Sequence, residues 1–106
     1  QNRGKEAIAL LQTIISKSGI GDSSDMALVW PIDVLGRTYQ KQGNYPEAEK
    51  QFLRALHIME ERVPKNSVAL QTPLSRLVPL YVEMGRIEDS EKIRQRINTL
   101  LTRGAD

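Results

Sequence analysis

The stretch EAEKQFLRALHIMEE, residues 47–61, carries the clearest structural signal in the chain. Its apolar side chains recur every three or four residues, so they fall on one side of an α-helix. They are Ala48, Phe52, Ala55, Leu56 and Met59. Just before the stretch, Asn44 is suited to cap a helix, and Pro46 fits a first helical turn, where its missing N–H costs no hydrogen bond. The sequence therefore predicts an amphipathic helix that begins after Asn44 and buries this stripe.

The chain repeats itself with an offset of 42 residues. This offset aligns nine identical pairs, namely Ala27/Ala69, Leu28/Leu70, Pro31/Pro73, Leu35/Leu77, Tyr39/Tyr81, Gly43/Gly85, Glu49/Glu91, Lys50/Lys92 and Arg54/Arg96. An offset of 41 aligns the N-terminal segment, with Glu6-Ala7 over Glu47-Ala48. Such a period indicates stacked structural repeats. We therefore divide the chain into a half repeat at 1–22, a full repeat at 23–64 and a full C-terminal repeat at 65–106.

Each full repeat is predicted to form two helices. In the first copy, Ser23, Ser24 and Asp25 can cap a helix that ends at Gly43, where a left-handed backbone is easily adopted. In the second copy, Asn66-Ser67 supplies the cap, and the helices cover 67–84 and 87 to about 103. The half repeat adds one helix at about 3–17. We expect an all-α fold of five helices in antiparallel pairs, with no strand.

Three prolines interrupt the predicted first helices of the repeats: Pro31, Pro73 and Pro79. Inside a helix, each would remove a hydrogen bond and press on the preceding turn. We interpret the two helices as kinked or late-starting. The alternative is that regular helix begins only near Val29 and Gln71, which would place the first two prolines in an opening turn.

The first full copy resembles the tetratricopeptide repeat. The resemblance rests on Leu35-Gly36-Arg37-Thr38-Tyr39, followed by Ala48, Phe52 and Ala55. Gly36 and Ala48 are small, so paired helices can approach closely, while Tyr39 and Phe52 fill the space between them. The period of 42 residues is similar to that of kinesin light chain repeats rather than to the commoner shorter unit. The resemblance implies a right-handed solenoid fragment.

The second copy departs from the signature, since Val78, Ser90 and Arg94 replace Gly36, Ala48 and Phe52. The outer face of a terminal repeat is exposed to solvent. The polar residues Arg94, Asn98 and Arg103 would therefore suit the last helix of an array. The N-terminal helix has no predicted hairpin partner. We therefore expect that the array continues N-terminally, and that the apolar face of Ala7, Leu11, Ile14 and Ile15 is available for self-association.

Catalytic chemistry finds little support in the sequence. The chain has no cysteine and no serine in a G-x-S-x-G context, and Gly19-Ile20-Gly21 lacks the trailing Lys-Ser/Thr of a phosphate loop. His57 is the only histidine, and its position away from the apolar stripe predicts an exposed, inert side chain. We therefore predict no catalytic residue, no metal site and no cofactor, and we expect that the chain is not an enzyme.

Charge also narrows the class of partner. The chain carries 15 Lys and Arg against 13 Asp and Glu, a net charge of +2 with only one Trp, three Tyr and one Phe. Nucleic-acid sites usually contain clustered basic residues beside aromatic ones. The near-neutral charge and few aromatic residues of this chain therefore predict no nucleic acid partner. No apolar run is long enough to span a bilayer, and we expect no membrane partner. The absence of cysteine slightly favours a reducing, intracellular compartment such as the cytoplasm or an organelle matrix.

The resemblance implies where a ligand would bind, because first helices of successive repeats line a concave groove. The candidate protein-binding residues are Trp30, Asp33, Arg37, Gln40 and Lys41 from the first copy, with Thr72, Ser75, Arg76, Pro79, Val82 and Glu83 from the second. Trp and Arg are enriched at binding hot spots, although Trp30 could instead pack against the N-terminal helix. The set does not reproduce the Lys/Asn/Arg constellation of family members that clamp a chaperone tail, so no such ligand is predicted.

Two functional interpretations remain open at this point. The first is a scaffold or adaptor that binds a peptide or partner helix in the groove, with acidic and apolar residues as anchors of that ligand. The second is a structural or self-association module that forms a homo-oligomer through the N-terminal half repeat. An intact groove binder should be monodisperse, whereas an assembly module should associate by itself.

Overall fold

A computed structural model of the chain describes residues 2–18 and 26–104, and within these ranges it contains five α-helices and no strand. The α-helices are α1 (Asn2–Ser18), α2 (Val29–Lys41), α3 (Tyr45–Arg62), α4 (Gln71–Glu83) and α5 (Ile87–Gly104). Short 3-10 turns at Met26–Leu28 and Val68–Leu70 precede α2 and α4. The predicted all-α fold is confirmed.

The helices stack in chain order. Helix α2 packs against α3 and α4 against α5, and the tight links within these pairs make them antiparallel. Helix α1 packs on α2, and α3 packs on α4, which joins the two pairs into one body of 44 × 33 × 17 Å. The repeat boundaries at residues 23 and 65 stay a prediction.

The turn inside each pair depends on a glycine at the same repeat position. Gly43 has φ 79° and Gly85 has φ 77°, a left-handed conformation that is strained for residues with a side chain. In the first turn, the Gly43 N–H donates to the Gln40 carbonyl at 3.0 Å and the Asn44 N–H donates to the Tyr39 carbonyl at 2.9 Å. This is a Schellman motif, which satisfies carbonyls at the helix end and reverses the chain.

The helix starts resolve the question of the prolines. Helices α2 and α4 begin at Val29 and Gln71, so Pro31 and Pro73 stand in the opening turn, where a missing N–H is tolerated. The alternative that regular helix begins only near Val29 and Gln71 is therefore correct for both helices. Pro79 lies inside α4.

Of the predicted N-cap side chains, Ser67 forms the expected hydrogen bond and Asn44 does not. The Ser67 side chain accepts a hydrogen bond from the Ala69 N–H at 3.1 Å, as expected of a cap. Asn44 occupies the N-cap position of α3 but makes no side-chain cap hydrogen bond, so the prediction that its side chain caps this helix is wrong. Its backbone amide is instead committed to the preceding Schellman motif. The predicted caps at 23–25 lie outside the described residues.

The predicted apolar stripe of α3 forms the centre of the core. Ala48, Phe52, Ala55, Leu56 and Met59 are all buried. A Cβ added at Gly36 would lie 2.6 Å from Cε1 of Phe52, a separation that real contacts do not show. Glycine at this position therefore allows α2 and α3 to pack at the distance set by the Phe52 ring.

In the second copy, a hydrogen bond replaces the apolar contact at the position equivalent to Ala48. Ser90, which replaces Ala48, is buried, and its hydroxyl donates to the Val78 carbonyl at 3.2 Å. The hydrogen bond satisfies a polar group that would otherwise be buried without a partner. Arg94 and Asn98 are exposed, in agreement with the expected polar outer face, and the side chain of Arg103 lies outside the described residues.

A polar network fixes α3 against the second helix pair. Arg86 donates through Nη1 to both oxygens of Glu49 at 2.9 Å and through Nε to Asp89 at 2.8 Å. The Tyr81 hydroxyl donates to Oε2 of Glu49 at 2.8 Å, and the Arg86 guanidinium lies 4.4 Å from the centre of the Tyr81 ring. Burial raises the pKa of Tyr81 to about 12, and the hydrogen bond to Glu49 acts in the same direction. The network links the two repeats by side chains from both.

Candidate protein-binding groove

A cavity of about 410 Å³ lies between α2 and α4. Its floor is formed by Ala55 and Met59 of α3, so the cavity rests directly on the core. Its walls are Met26, Val29, Trp30, Asp33 and Arg37 on the α2 side and Thr72, Pro73 and Arg76 on the α4 side. The volume is in the range of about 300–1,000 Å³ that is common for ligand sites. We call this cavity and its rim the groove.

One carboxylate organises the charged part of the groove. Oδ1 of Asp33 accepts a hydrogen bond from Nε of Arg76 at 2.9 Å, and its Oδ2 lies 3.2 Å from Nε of Arg37. Asp33 is only 14% exposed in its side chain, whereas both arginines are partly accessible. The two guanidinium groups and one carboxylate carry a net charge of +1, which is suited to a single further carboxylate.

A second polar bridge crosses from α2 to α4. Nε2 of Gln40 donates to Oε1 of Glu83. Gln40 follows Asp33 by seven residues on α2, and Glu83 follows Arg76 by seven residues on α4, so the bridges are about two helical turns apart. The bridges hold α2 and α4 in a fixed relation along the groove.

The structure brings together seven of the eleven residues that the sequence predicted for the groove. Trp30, Asp33, Arg37, Thr72 and Arg76 line the cavity, and Gln40 and Glu83 form the second bridge. Lys41, Ser75, Pro79 and Val82 are exposed but do not line the cavity. Their role in binding, like that of the lining residues, stays a prediction.

Trp30 is 69% exposed, so packing against the N-terminal helix, the alternative for this residue, does not bury it. Sequence reasoning missed Met26, which is also exposed and lines the cavity beside Trp30. Its spacing of four residues from Trp30 was the available signal. Together the two side chains give the groove an accessible apolar wall.

The N-terminal apolar face is only partly available. Leu11 and Ile15 are buried in the cluster that contains Leu28, Ile32 and Leu35. The expectation that both remain open for self-association is therefore wrong, because α1 uses them to pack on α2. Leu10 and Ile14, at 62% and 40% exposure, are the exposed large apolar side chains of this helix.

Other functional groups form no centre within 2–18 and 26–104. His57 is exposed, as predicted, and its Nε2 lies 3.1 Å from Glu61 on the same helix. No group of three or more His, Cys, Asp or Glu among the described residues could hold a metal ion. In the same ranges, no helix is both long and apolar enough to cross a membrane.

Comparison with known families agrees with the geometry of the first helix pair. Residues 32–67 match the family model for the tetratricopeptide repeat, and this segment runs from α2 through α3 to the link before α4. The recognition of a tetratricopeptide-type repeat is confirmed for this stretch. Repeats of this family are non-catalytic scaffolds that generally mediate protein–protein interaction. The comparison with curated proteins gave no match.

Proposed function

We propose that the chain is a protein-interaction module that binds a peptide or a partner helix in the groove between α2 and α4. The observation that carries this proposal is the placement of Trp30, Arg37 and Arg76 around one cavity on the core. Aromatic and arginine side chains supply most of the energy at many protein interfaces. The match of residues 32–67 to a repeat of scaffold proteins supports the same class of function.

The chemistry of the groove favours a ligand with an apolar anchor next to an acidic residue. Trp30 and Met26 offer an accessible apolar wall, and Ala55 and Met59 an apolar floor. Each arginine contacts Asp33 through Nε, and a guanidinium has further N–H donors on its two Nη atoms. A ligand carboxylate placed beside these donors would neutralise the remaining positive charge. Because few charges are involved, binding should weaken only gently with salt.

Changing Arg37 and Arg76 together to Ala should weaken binding of the native partner by about 1–2 kcal/mol, because charge-assisted hydrogen bonds are lost. The double variant should also melt at a lower temperature, because Asp33, 14% exposed in its side chain, loses both guanidinium partners and the bridge to α4. Binding is therefore compared at a temperature where both chains are folded. The measurement is a calorimetric titration of the purified partner against the wild-type chain and the double variant, with thermal melts of both.

Arg94→Ala is a matched control for this prediction, because Arg94 is an exposed arginine on α5, far in the chain from the groove. It should bind the partner as the wild type does. Normal binding by the folded double variant would exclude the groove as the site.

A second candidate function is self-association through α1, which is favoured by the exposure of Leu10 and Ile14. We expect concentration-dependent dimerisation in sedimentation velocity, and Leu10→Gln with Ile14→Gln should shift the chain to monomer by removing the apolar contact. Leu101→Gln, at an exposed position on α5, serves as the control and should leave association unchanged. A wild-type chain that stays monomeric at high concentration would contradict this function.

A further inference from the structure

A second cavity, of about 460 Å³, lies between α1 and α3 and shares no lining residue with the groove. Ile15, Leu28 and Leu35, all buried, contribute its apolar part. The polar part is formed by Gln12 and Ser16 of α1 and by Gln51 and Arg54 of α3. Two of these side chains, those of Gln51 and Arg54, carry polar groups that form no hydrogen bond with any described residue.

Gln51 is the first of these side chains. It is 7% exposed, and its Oε1 has no hydrogen-bond partner among residues 2–18 and 26–104. A buried acceptor without a donor costs about 1–3 kcal/mol relative to a satisfied one. The terminal torsion of glutamine is broad, so a rotation about it can present Oε1 to the cavity that the residue lines. The acceptor is then suited to an N–H donor supplied from the cavity.

Arg54 is the second. It lines the cavity and makes no ion pair or hydrogen bond with any residue of 2–18 or 26–104. Its counterpart at an offset of 42 is Arg96, which donates from Nη2 to Oε2 of Glu60. At the offset of 41 that aligns the half repeat, the position of Glu60 corresponds to Gly19, which has no carboxylate. The first copy therefore keeps the arginine of this ion pair without its acid.

We propose that this second cavity binds an acidic residue of a partner polypeptide, with the carboxylate on Arg54 and the backbone N–H donating to Oε1 of Gln51. Gln51 and Arg54 are three residues apart on α3, so their side chains are neighbours on one helix face. A single Glu residue carries a carboxylate and a backbone N–H at a separation that can reach both. One carboxylate neutralises the one cation. The inference stands apart from the groove, since the two sites have different residues.

The test uses a small probe that carries only this chemistry, N-acetyl-glutamate-N-methylamide, titrated into the ¹⁵N-labelled chain. We expect saturable shifts of the Arg54 Nε–H and Gln51 side-chain amide resonances. The isosteric neutral probe, N-acetyl-glutamine-N-methylamide, should bind about tenfold more weakly, because it lacks the charge-assisted contact. No saturable shift with the glutamate probe, or equal responses to both probes, would overturn the proposal.

Substitutions show whether the resonance shifts caused by the glutamate probe come from binding in this cavity. Arg54→Gln should abolish the preference for the glutamate probe, whereas Arg96→Gln, its repeat counterpart, should keep it. The groove variant Arg37→Ala with Arg76→Ala should also keep it, so that failure of one site is distinguished from failure of the other. If Asp22→Asn with Asp25→Asn moves the Arg54 Nε–H resonance without any probe, acids of the chain itself are the ligand and the proposal fails.

Discussion

We expect Phe52→Ala to lower the free energy of unfolding by about 3–5 kcal/mol, the largest effect of any single substitution considered for this chain. Phe52 is 1% exposed and belongs to the cluster that contains Leu74, Leu77 and Leu80 of α4. Its ring also fills the space above Gly36. Removal of the ring therefore opens a cavity where α2, α3 and α4 meet. Urea unfolding followed by circular dichroism at 222 nm measures the change.

A double-mutant cycle with Gly36 makes this prediction specific to the observed contact. In the wild type, Gly36→Ala should cost about 1–3 kcal/mol, because the new Cβ meets the Phe52 ring. In the Phe52→Ala background the same change should be neutral or stabilising, because the space is free and Ala is the better helix former. Additive effects of the two changes would show that the packing between α2 and α3 differs from the one described. Trp30→Ala, at an exposed position, is the control and should change stability little.

Leu35→Ala should lower the free energy of unfolding by about 2–5 kcal/mol. Leu35 is buried in a second cluster, with Leu11 and Ile15 of α1 and Ala55 and Ile58 of α3. The truncation therefore weakens the packing of three helices at once. The Leu35→Ala variant should lose partner binding only because it unfolds. Binding should therefore return at low temperature, or at partner concentrations high enough to refold the chain.

The measurement for Leu35→Ala is a set of urea melts with and without the partner. Leu101→Ala is the matched control, since it makes the same change at an exposed position and should alter stability by less than about 0.5 kcal/mol. An unfolding curve for Leu35→Ala that coincides with that of the wild type would mean that the predicted core register is wrong.

The fold could be predicted from the sequence because its determinants are local. The stripe from Ala48 to Met59 repeats with helical spacing, and all five of its apolar members are buried. Gly43 and Gly85 each close a helix with a positive φ, as their place after an apolar pattern indicated. These signals depend on neighbours within one or two turns, so a single sequence contains them.

The polar architecture of the groove could not be predicted in the same way. Asp33 and Arg76 were both candidates for ligand contacts, but their contact with each other depends on how α4 is placed beside α2. No local pattern encodes that placement, since it results from the packing of both helices on α3. The burial of Gln51 was missed for a similar reason: a polar side chain gives no sign in the sequence that the packing of the helices will bury it.

The two bridges across the groove limit how freely the repeats could be exchanged. Each joins residues that are 43 positions apart, one more than the period of the sequence repeat. A position on α2 therefore meets a different motif position on α4, and not its own equivalent. If a duplicate of the first repeat took the place of the second, the counterpart of Val34 would stand at position 76 and that of Lys41 at position 83. Asp33 would then lose its arginine on α4, and the Gln40 amide would have no acid at position 83 to donate to. The repeats therefore form an ordered pair whose members fit each other, and growth of the array by simple duplication would require new substitutions at each junction.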